Sequence, residues 1–294
     1  MVTAQHKGAT LQSAWREIRK QFTDAGIDTP TLDARLLVQS VLGLTHEELL
    51  MRPHQPLTPE QESTLASYTA RRLKHEPVSR ILGKRGFWKS FFKVTPATLD
   101  PRPDSETLIE AALKHVDKNK PLTILDLGTG TGCLLLSLLQ ELPQATGIGV
   151  DISAEAIDVA KENAESLGLT DRASFMSIDW NELQATPFDI VISNPPYIAL
   201  TEKENLAPEV RDYDPATALF GGADGLDCYR DIVRLLPRVL KLDGLLFLEI
   251  GATQAKDVKG ITGQAGLTML HTIADLAGHD RCLVARYTPR PEIE

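Results

Sequence analysis

One heptapeptide constrains this chain more than any other feature. Asp126-Leu127-Gly128-Thr129-Gly130-Thr131-Gly132 directly follows the run Leu122 to Leu125 and directly precedes an apolar run that opens at Cys133. Glycines at alternate positions let a backbone turn sharply and come close to a ligand where a Cβ would collide. Placed between a strand and a helix, such a turn leaves the first amides of the helix free to meet a carboxylate or phosphate. The spacing is GxGxG, which departs from the GxGxxG fingerprint of dinucleotide sites and speaks against a nicotinamide enzyme.

The surrounding sequence supports the same architecture. Strands are expected at Leu122 to Leu127, Gly147 to Asp151, Ala173 to Ile178 and Phe188 to Ser193. Helices are expected between them at Cys133 to Leu142 and Ala154 to Leu167. Alternation of this kind gives βαβ units on a mostly parallel sheet, an α/β fold. A helix from about Leu226 to Leu240, a strand from Gly244 to Ile250, a helix near Gln254 to Gly263 and two last strands complete it. The beginning of the chain reads differently. Leu11, Trp15, Ile18 and Phe22 form one apolar stripe of a helix over Ala9 to Ala25, and Leu32, Leu36, Leu37 and Val41 form another over Thr31 to Leu42. Thr45 with Glu48 predicts a capping box, and Thr58 followed by Pro59 opens a helix that runs to about His75. Ile81 to Trp88 and Phe91 to Thr95, joined by Lys89 and Ser90, read as a β-hairpin. The expected division is a helical domain over 1–76, a hairpin linker over 77–103 and an α/β domain over 104–294.

Three positions beyond the glycine loop carry chemistry. Asp151 ends the second strand, where an acid can accept from ribose hydroxyls; the alternative is a helix cap, which Ser153 could equally supply. Asp179-Trp180 ends the third strand, where an indole can cover a purine face. The fourth strand runs into Asn194-Pro195-Pro196-Tyr197. The prolines fix a rigid turn without donors. The Asn194 amide oxygen and the Pro195 carbonyl then make a fork of acceptors suited to a planar NH2 group, with Tyr197 lying against the flat substrate.

Together these segments resemble the class I S-adenosylmethionine-dependent methyltransferases that act on amino nitrogens of planar groups. PRPDSE at 101–106, RDYDPATALFGGADGLDCYR and LEIGATQ narrow the likeness to the HemK/PrmC family, the peptide chain release factor glutamine N5-methyltransferases. Asp104 and Ser105 stand where that family's signature has Glu and Thr, and Leu99-Asp100 where an apolar pair is usual. The resemblance implies a Rossmann-like domain with a mostly parallel seven-stranded sheet, and an N-terminal helical bundle that docks the substrate. It implies S-adenosylmethionine held by Gly128, Thr129, Gly130, Thr131, Gly132, Asp151, Trp180 and Asn194. Asn194, Pro195, Pro196 and Tyr197 then grip the glutamine of the release factor's GGQ motif, with Asn194, Pro195 and Tyr197 the residues expected to carry catalysis.

Composition bears on the partner. The chain has a net charge of -9, divided as +4 over residues 1–100 and -13 over residues 101–294. A field of that sign around the reaction site repels bare phosphates and disfavours the nearest rival, an amino-methyltransferase acting on a nucleic-acid base, which needs a basic groove. It suits a protein substrate that presents basic surface. Cys133, Cys228 and Cys282 show no metal-ligand or disulfide spacing, and His75, His115 and His271 are isolated, so no metal is expected. With no signal-like or membrane-spanning run, the expectation is a cytoplasmic monomer that binds no nucleic acid stably.

Overall fold

The computed structural model of the chain describes residues 9–288. The chain divides into two compact units between Gly83 and Lys84, and the segment expected as a linker, 77–103, is shared between them.

The described part of the first unit is helical: α1 (Leu11–Asp24), α2 (Pro30–Leu42), α3 (His46–Met51), α4 (Pro59–Arg72) and α5 (Val78–Leu82). The caps form where the sequence places them. Thr45 Oγ1 accepts from the Glu48 amide at 3.2 Å while Glu48 accepts from the Thr45 amide at 3.0 Å, and Thr58 with Gln61 repeats the arrangement. Leu11, Ile18 and Phe22 are buried as the stripe predicts. The face of α2 differs from expectation. Leu32 is exposed, whereas Asp33, Ala34, Leu37 and Val38 point inward. The reason is an ion pair: buried Asp33 accepts from Arg72 Nε at 2.7 Å, which rotates α2 by a position relative to its apolar periodicity.

The second unit opens with the hairpin β1 (Lys84–Phe87) and β2 (Ser90–Lys93), followed by a 3-10 turn over Pro103–Ser105 and α6 (Glu106–His115). The hairpin is shorter than predicted and its turn falls one residue earlier, at Trp88-Lys89. Ile81 and Leu82 belong to α5, because Gly83 takes a left-handed conformation (φ 69°) and ends that helix before a strand can start. The expected alternation then follows: β3 (Thr123–Leu127), α7 (Cys133–Glu141), β4 (Thr146–Asp151), α8 (Ala154–Ser166), β5 (Ala173–Ser177) and β6 (Phe188–Ser193). Short helices α9 (Pro208–Arg211) and α10 (Ala216–Leu219) occupy the segment after NPPY, ahead of α11 (Asp227–Val239), β7 (Leu240–Glu249), α12 (Ala255–Gln264), β8 (Leu267–Ala274) and β9 (Asp280–Tyr287).

These strands form one seven-stranded sheet of order β5-β4-β3-β6-β7-β9-β8, parallel except that β9 runs antiparallel to β7 and β8. The chain travels outward from β3 to β5 and returns to β6 on the other side of β3. The carboxyl ends of β3 and β6 therefore flank the switch point where ligands gather in such sheets. The glycine loop leaves one and NPPY leaves the other. Apolar side chains cover both faces of the sheet: α6 and α7 pack with Ile124, Ile190 and Phe247, and α11 packs with Leu125, Val191 and Leu246. The hairpin's Phe87 and Phe92 enter the first of these clusters. Among the described residues no helix is long and apolar enough to cross a membrane.

Candidate functional site

At the end of β3, Gly128, Gly130 and Gly132 all adopt positive φ, at 72°, 53° and 78°. The strongest requirement for glycine is at Gly132, where α7 begins. A Cβ there would meet Leu136, Ala160 and Phe175 side chains at 3.1 to 3.4 Å in a conformation that already disfavours side chains. The loop is anchored underneath. The Gly128 and Thr129 amides both donate to the Val150 carbonyl at 2.9 Å. Asn163 of α8 donates to the Thr131 carbonyl at 2.9 Å and exchanges bonds with the Lys93 backbone, so hairpin, helix and loop hold one another. Gly149 of β4 has a bare Cα because a Cβ would lie 2.7 Å from both Thr129 Oγ1 and the Phe175 ring.

This loop floors a cavity of about 410 Å³. Gly128, Thr129, Gly130, Thr131, Asp151, Trp180, Asn194 and Pro196 line it; Gly132 lies behind the wall. Asp151 accepts from the Gly130 amide through Oδ2 at 2.9 Å and from the Ser153 amide through Oδ1 at 3.0 Å. Ser153 itself caps α8 by accepting from the Ala156 amide at 3.1 Å. The cap thus has its own residue, and Asp151 faces the cavity. Trp180 stands beside Gly128, 3.5 Å from where its Cβ would be. Carboxylate, glycine cradle and indole are the groups that a nucleoside with a charged tail requires.

A second cavity of about 300 Å³ adjoins the first through Leu99, Arg102, Asn194 and Ala218, which line both. Tyr197, Glu249 and Arg281 line only the second of the two, as do Leu206 and Val210 from the segment after NPPY. Pro195 is buried and lines neither. The NPPY turn is clamped by two distant segments. A Cβ on Gly221 would lie 2.4 Å from the Pro196 carbonyl oxygen, and one on Gly225 would lie 2.2 Å from that of Tyr197. Gln254 Nε2 donates to the Tyr197 carbonyl at 2.9 Å. Gly221 and Gly225 of FGGADG and the glutamine of LEIGATQ are thereby explained as supports of the turn.

Sequence reasoning missed several lining residues. Arg102 pairs with buried Asp214 and borders both cavities, while Glu106 accepts from the Trp88 amide at 2.8 Å and holds the hairpin. Ser105, on the 3-10 turn, accepts from Asn194 Nδ2 at 3.1 Å. Glu249, at the end of β7, accepts from the Tyr197 hydroxyl at 3.3 Å. The PRPDSE and LEIG segments were the available signals, but no local spacing ties them to NPPY.

Two buried carboxyls are perturbed. Burial pushes Asp126 up to about 7, opposed by hydrogen bonds from Thr129 and the Leu135 backbone. Burial also pushes Glu249 up to about 7, opposed by Ser105, Arg281 and Tyr197. For Asp126 the ordinary value is 3.8. Between those values the unfolded chain is ionised while the folded chain keeps its proton, so this group's contribution to stability is lost as pH rises from about 4 to about 7. Asp126→Asn, which keeps an acceptor for Thr129, is expected to gain stability relative to the parent over that interval and to hold the gain above it. Urea unfolding of both proteins without cofactor at pH 5 and pH 8 checks this; an equal difference at the two values would refute it.

Residues 13–83 match the family model of the PrmC N-terminal domain, and residues 118–253 match that of a methyltransferase domain. The chain is 42% identical over 281 residues to the release factor glutamine methyltransferase of Caulobacter vibrioides, covering 95% of this chain and 97% of that protein. It is 47% identical over 275 residues to the protein of the same name from Rhodospirillum rubrum, covering 94% and 83%. Among solved structures, a release factor-specific protein-(glutamine-N5) methyltransferase from Alicyclobacillus acidocaldarius superposes with a TM-score of 0.41 at 29% identity, covering 67% of this chain and 100% of that one. Identity at this level over nearly the full length of both sequences, on a sheet whose switch point carries the glycine loop and NPPY, places the chain in the family of release factor glutamine methyltransferases.

Proposed function

We propose that this protein transfers a methyl group from S-adenosylmethionine to the side-chain amide nitrogen of the glutamine in the GGQ motif of class I peptide chain release factors. The observation that carries the reading is Asn194, which stands on the wall shared by two adjoining cavities, one floored by the glycine loop and the other lined by Tyr197. The first is read as the cofactor site, with Asp151 taking the ribose, Trp180 beside the adenine and the loop around the methionine portion. When bound there, S-adenosylmethionine supplies an electrophilic methyl group on sulfur. The second cavity is read as the glutamine site. The Asn194 amide oxygen accepts an N–H of the substrate amide and Tyr197 covers its plane, while Pro195, buried outside the lining of both cavities, serves to fix the turn that carries them.

An amide nitrogen is a poor nucleophile because its lone pair is delocalised into the carbonyl. A fixed acceptor orients the NH2 group and favours electron density on nitrogen, and it stabilises the positive charge that develops as the new bond forms. Orientation alone can supply on the order of 7 to 11 kcal/mol. The methylated amide then loses its proton readily, so no strong general base is required. The helical unit is read as the module that docks the release factor, and the protein as a cytoplasmic monomer without stable nucleic-acid binding. Incubation of unmodified release factor with enzyme and S-adenosylmethionine, followed by mass spectrometry, should place one methyl group on the GGQ glutamine and none on nucleic acid offered in parallel. A chain beginning at residue 84 should bind the cofactor yet fail to modify the whole factor. Methyl on nucleic acid with none on that glutamine overturns the assignment.

A further inference from the structure

We propose that Arg102 holds the α-carboxylate of S-adenosylmethionine, so that a guanidinium, and not the glycine loop, fixes the methionine tail of the cofactor. The inference rests on the reading of the larger cavity as the cofactor site, and it adds the residue that distinguishes the whole cofactor from its decarboxylated form. A glycine loop ahead of a helix is the ordinary receptor for such an anion. Here the amides of the loop are already engaged. Those of Gly128 and Thr129 donate to the Val150 carbonyl, that of Gly132 donates to the Thr129 carbonyl at 2.8 Å, and that of Gly130 donates to the Asp151 carboxylate at 2.9 Å.

The charges around the cavity point the same way. Asp151, Asp179 and Asp231 line it, and among the described residues Arg102 is the one lysine, arginine or histidine on its wall. A carboxylate laid against the middle of the loop meets Asp151, a charge of its own sign, and like charges brought together in a site shielded from water repel strongly. That end of the cavity suits the ammonium group of the tail. The carboxylate is left with one favourable place.

Reach selects Arg102 as well. For the methyl group to pass from one cavity to the other, the sulfur must stand at the wall they share, which Leu99, Arg102, Asn194 and Ala218 form. The carboxyl carbon of the cofactor is four bonds from that sulfur, about 5 Å away when the tail is extended. Arg102 therefore stands on the part of the wall that the carboxylate can reach. Its side chain is 33% exposed, whereas that of its partner Asp214 is 1% exposed, so Asp214 anchors the guanidinium from the protein side. Nη2 donates to Asp214 Oδ2, and among the described residues the guanidinium makes no other hydrogen bond. Its remaining N–H groups are free for a second carboxylate, and a planar fork already held in place loses little freedom on taking it.

The test compares S-adenosylmethionine with its decarboxylated form, which lacks only the carboxylate, by calorimetric titration of the full chain. The parent should bind the whole cofactor about 30-fold more tightly, the factor expected for one charge-assisted contact. Arg102→Met should weaken S-adenosylmethionine by about the same factor and leave the decarboxylated form within about threefold, so that the preference vanishes. Arg102→Lys keeps a cation against Asp214 but not the planar fork, and should retain about a fivefold preference. A parent preference below about threefold would overturn the proposal. So would a preference in Arg102→Met equal to the parent's, which would give the carboxylate to the first amides of α7 instead. If Arg102→Met does not fold because buried Asp214 loses its guanidinium, an undiminished preference in Arg102→Lys overturns the proposal alone. A parent that binds neither form would instead sink the reading of this cavity as the cofactor site, so the two failures are distinguishable.

Discussion

Asn194→Ala lowers single-turnover methylation of whole release factor by about a hundredfold to a thousandfold, the range seen when one preorganised hydrogen-bonding group is removed from a reacting centre. Affinity for S-adenosylmethionine falls by less than about tenfold, since one hydrogen bond among many is lost. The asymmetry follows from where Asn194 stands. It borders the cavity read as the cofactor site, but Asp151, Trp180 and the glycine loop also line that space; of the four residues that line both cavities it is the one with a side-chain acceptor. Without it the substrate amide, whose NH2 stays in the plane of its own carbonyl, is no longer held as a whole in one orientation. The nitrogen lone pair then spends little time in line with the methyl group, and the orientational part of the catalysis is lost. Rapid-quench measurement of the methyl transfer step, with calorimetric titration of the cofactor, separates the two effects. Turnover within tenfold of the parent would remove Asn194 from the reaction centre.

The parts of this site that were legible in the sequence are those written within one βα or β-loop unit. The glycine loop, Asp151 and NPPY each follow directly from a strand, and the strand order brings their ends together by a rule that needs no side-chain detail. Ser105, Arg102 and Glu249 were not legible as site residues because their partners are tertiary. Ser105 lies 89 residues from Asn194, and Glu249 lies 52 residues from Tyr197. The same cause explains the displaced face of α2. Periodicity assigns Leu32 to the core, but the long-range pairing of Asp33 with Arg72 turns the helix so that a carboxylate is buried in its place. The hairpin error has a local cause. Val78 to Leu82 is too short for helical periodicity to register against its β-prone composition, and only the left-handed Gly83 marks where the helix ends. Gly221 and Gly225 were visible as glycines, yet their use became clear only when the Pro196 and Tyr197 carbonyls were found against their α-carbons.

Asp151→Ala should produce the opposite kinetic pattern from Asn194→Ala. The carboxylate accepts from the Gly130 and Ser153 amides, at 2.9 and 3.0 Å, and faces the cavity read as the cofactor site. Removing it deletes the acceptor read as the ribose contact and also releases the middle of the glycine loop. Charge-assisted hydrogen bonds contribute about 1.5 to 3 kcal/mol each, so affinity for S-adenosylmethionine should fall by about a hundredfold. No contact with the glutamine site is lost, and turnover at saturating cofactor should remain within about fivefold of the parent. Asp151→Asn should restore little, because one of its two positions becomes an NH2 donor facing a backbone N–H. The competing view, in which Asp151 serves α8, predicts a different result. Ser153 already accepts from the Ala156 amide as the cap, so a helix-stabilising role for Asp151 would show as a lower melting temperature without cofactor and an affinity within threefold of the parent. A cofactor titration and a thermal melt on the one variant decide between the two, because a ribose acceptor changes the first far more than the second.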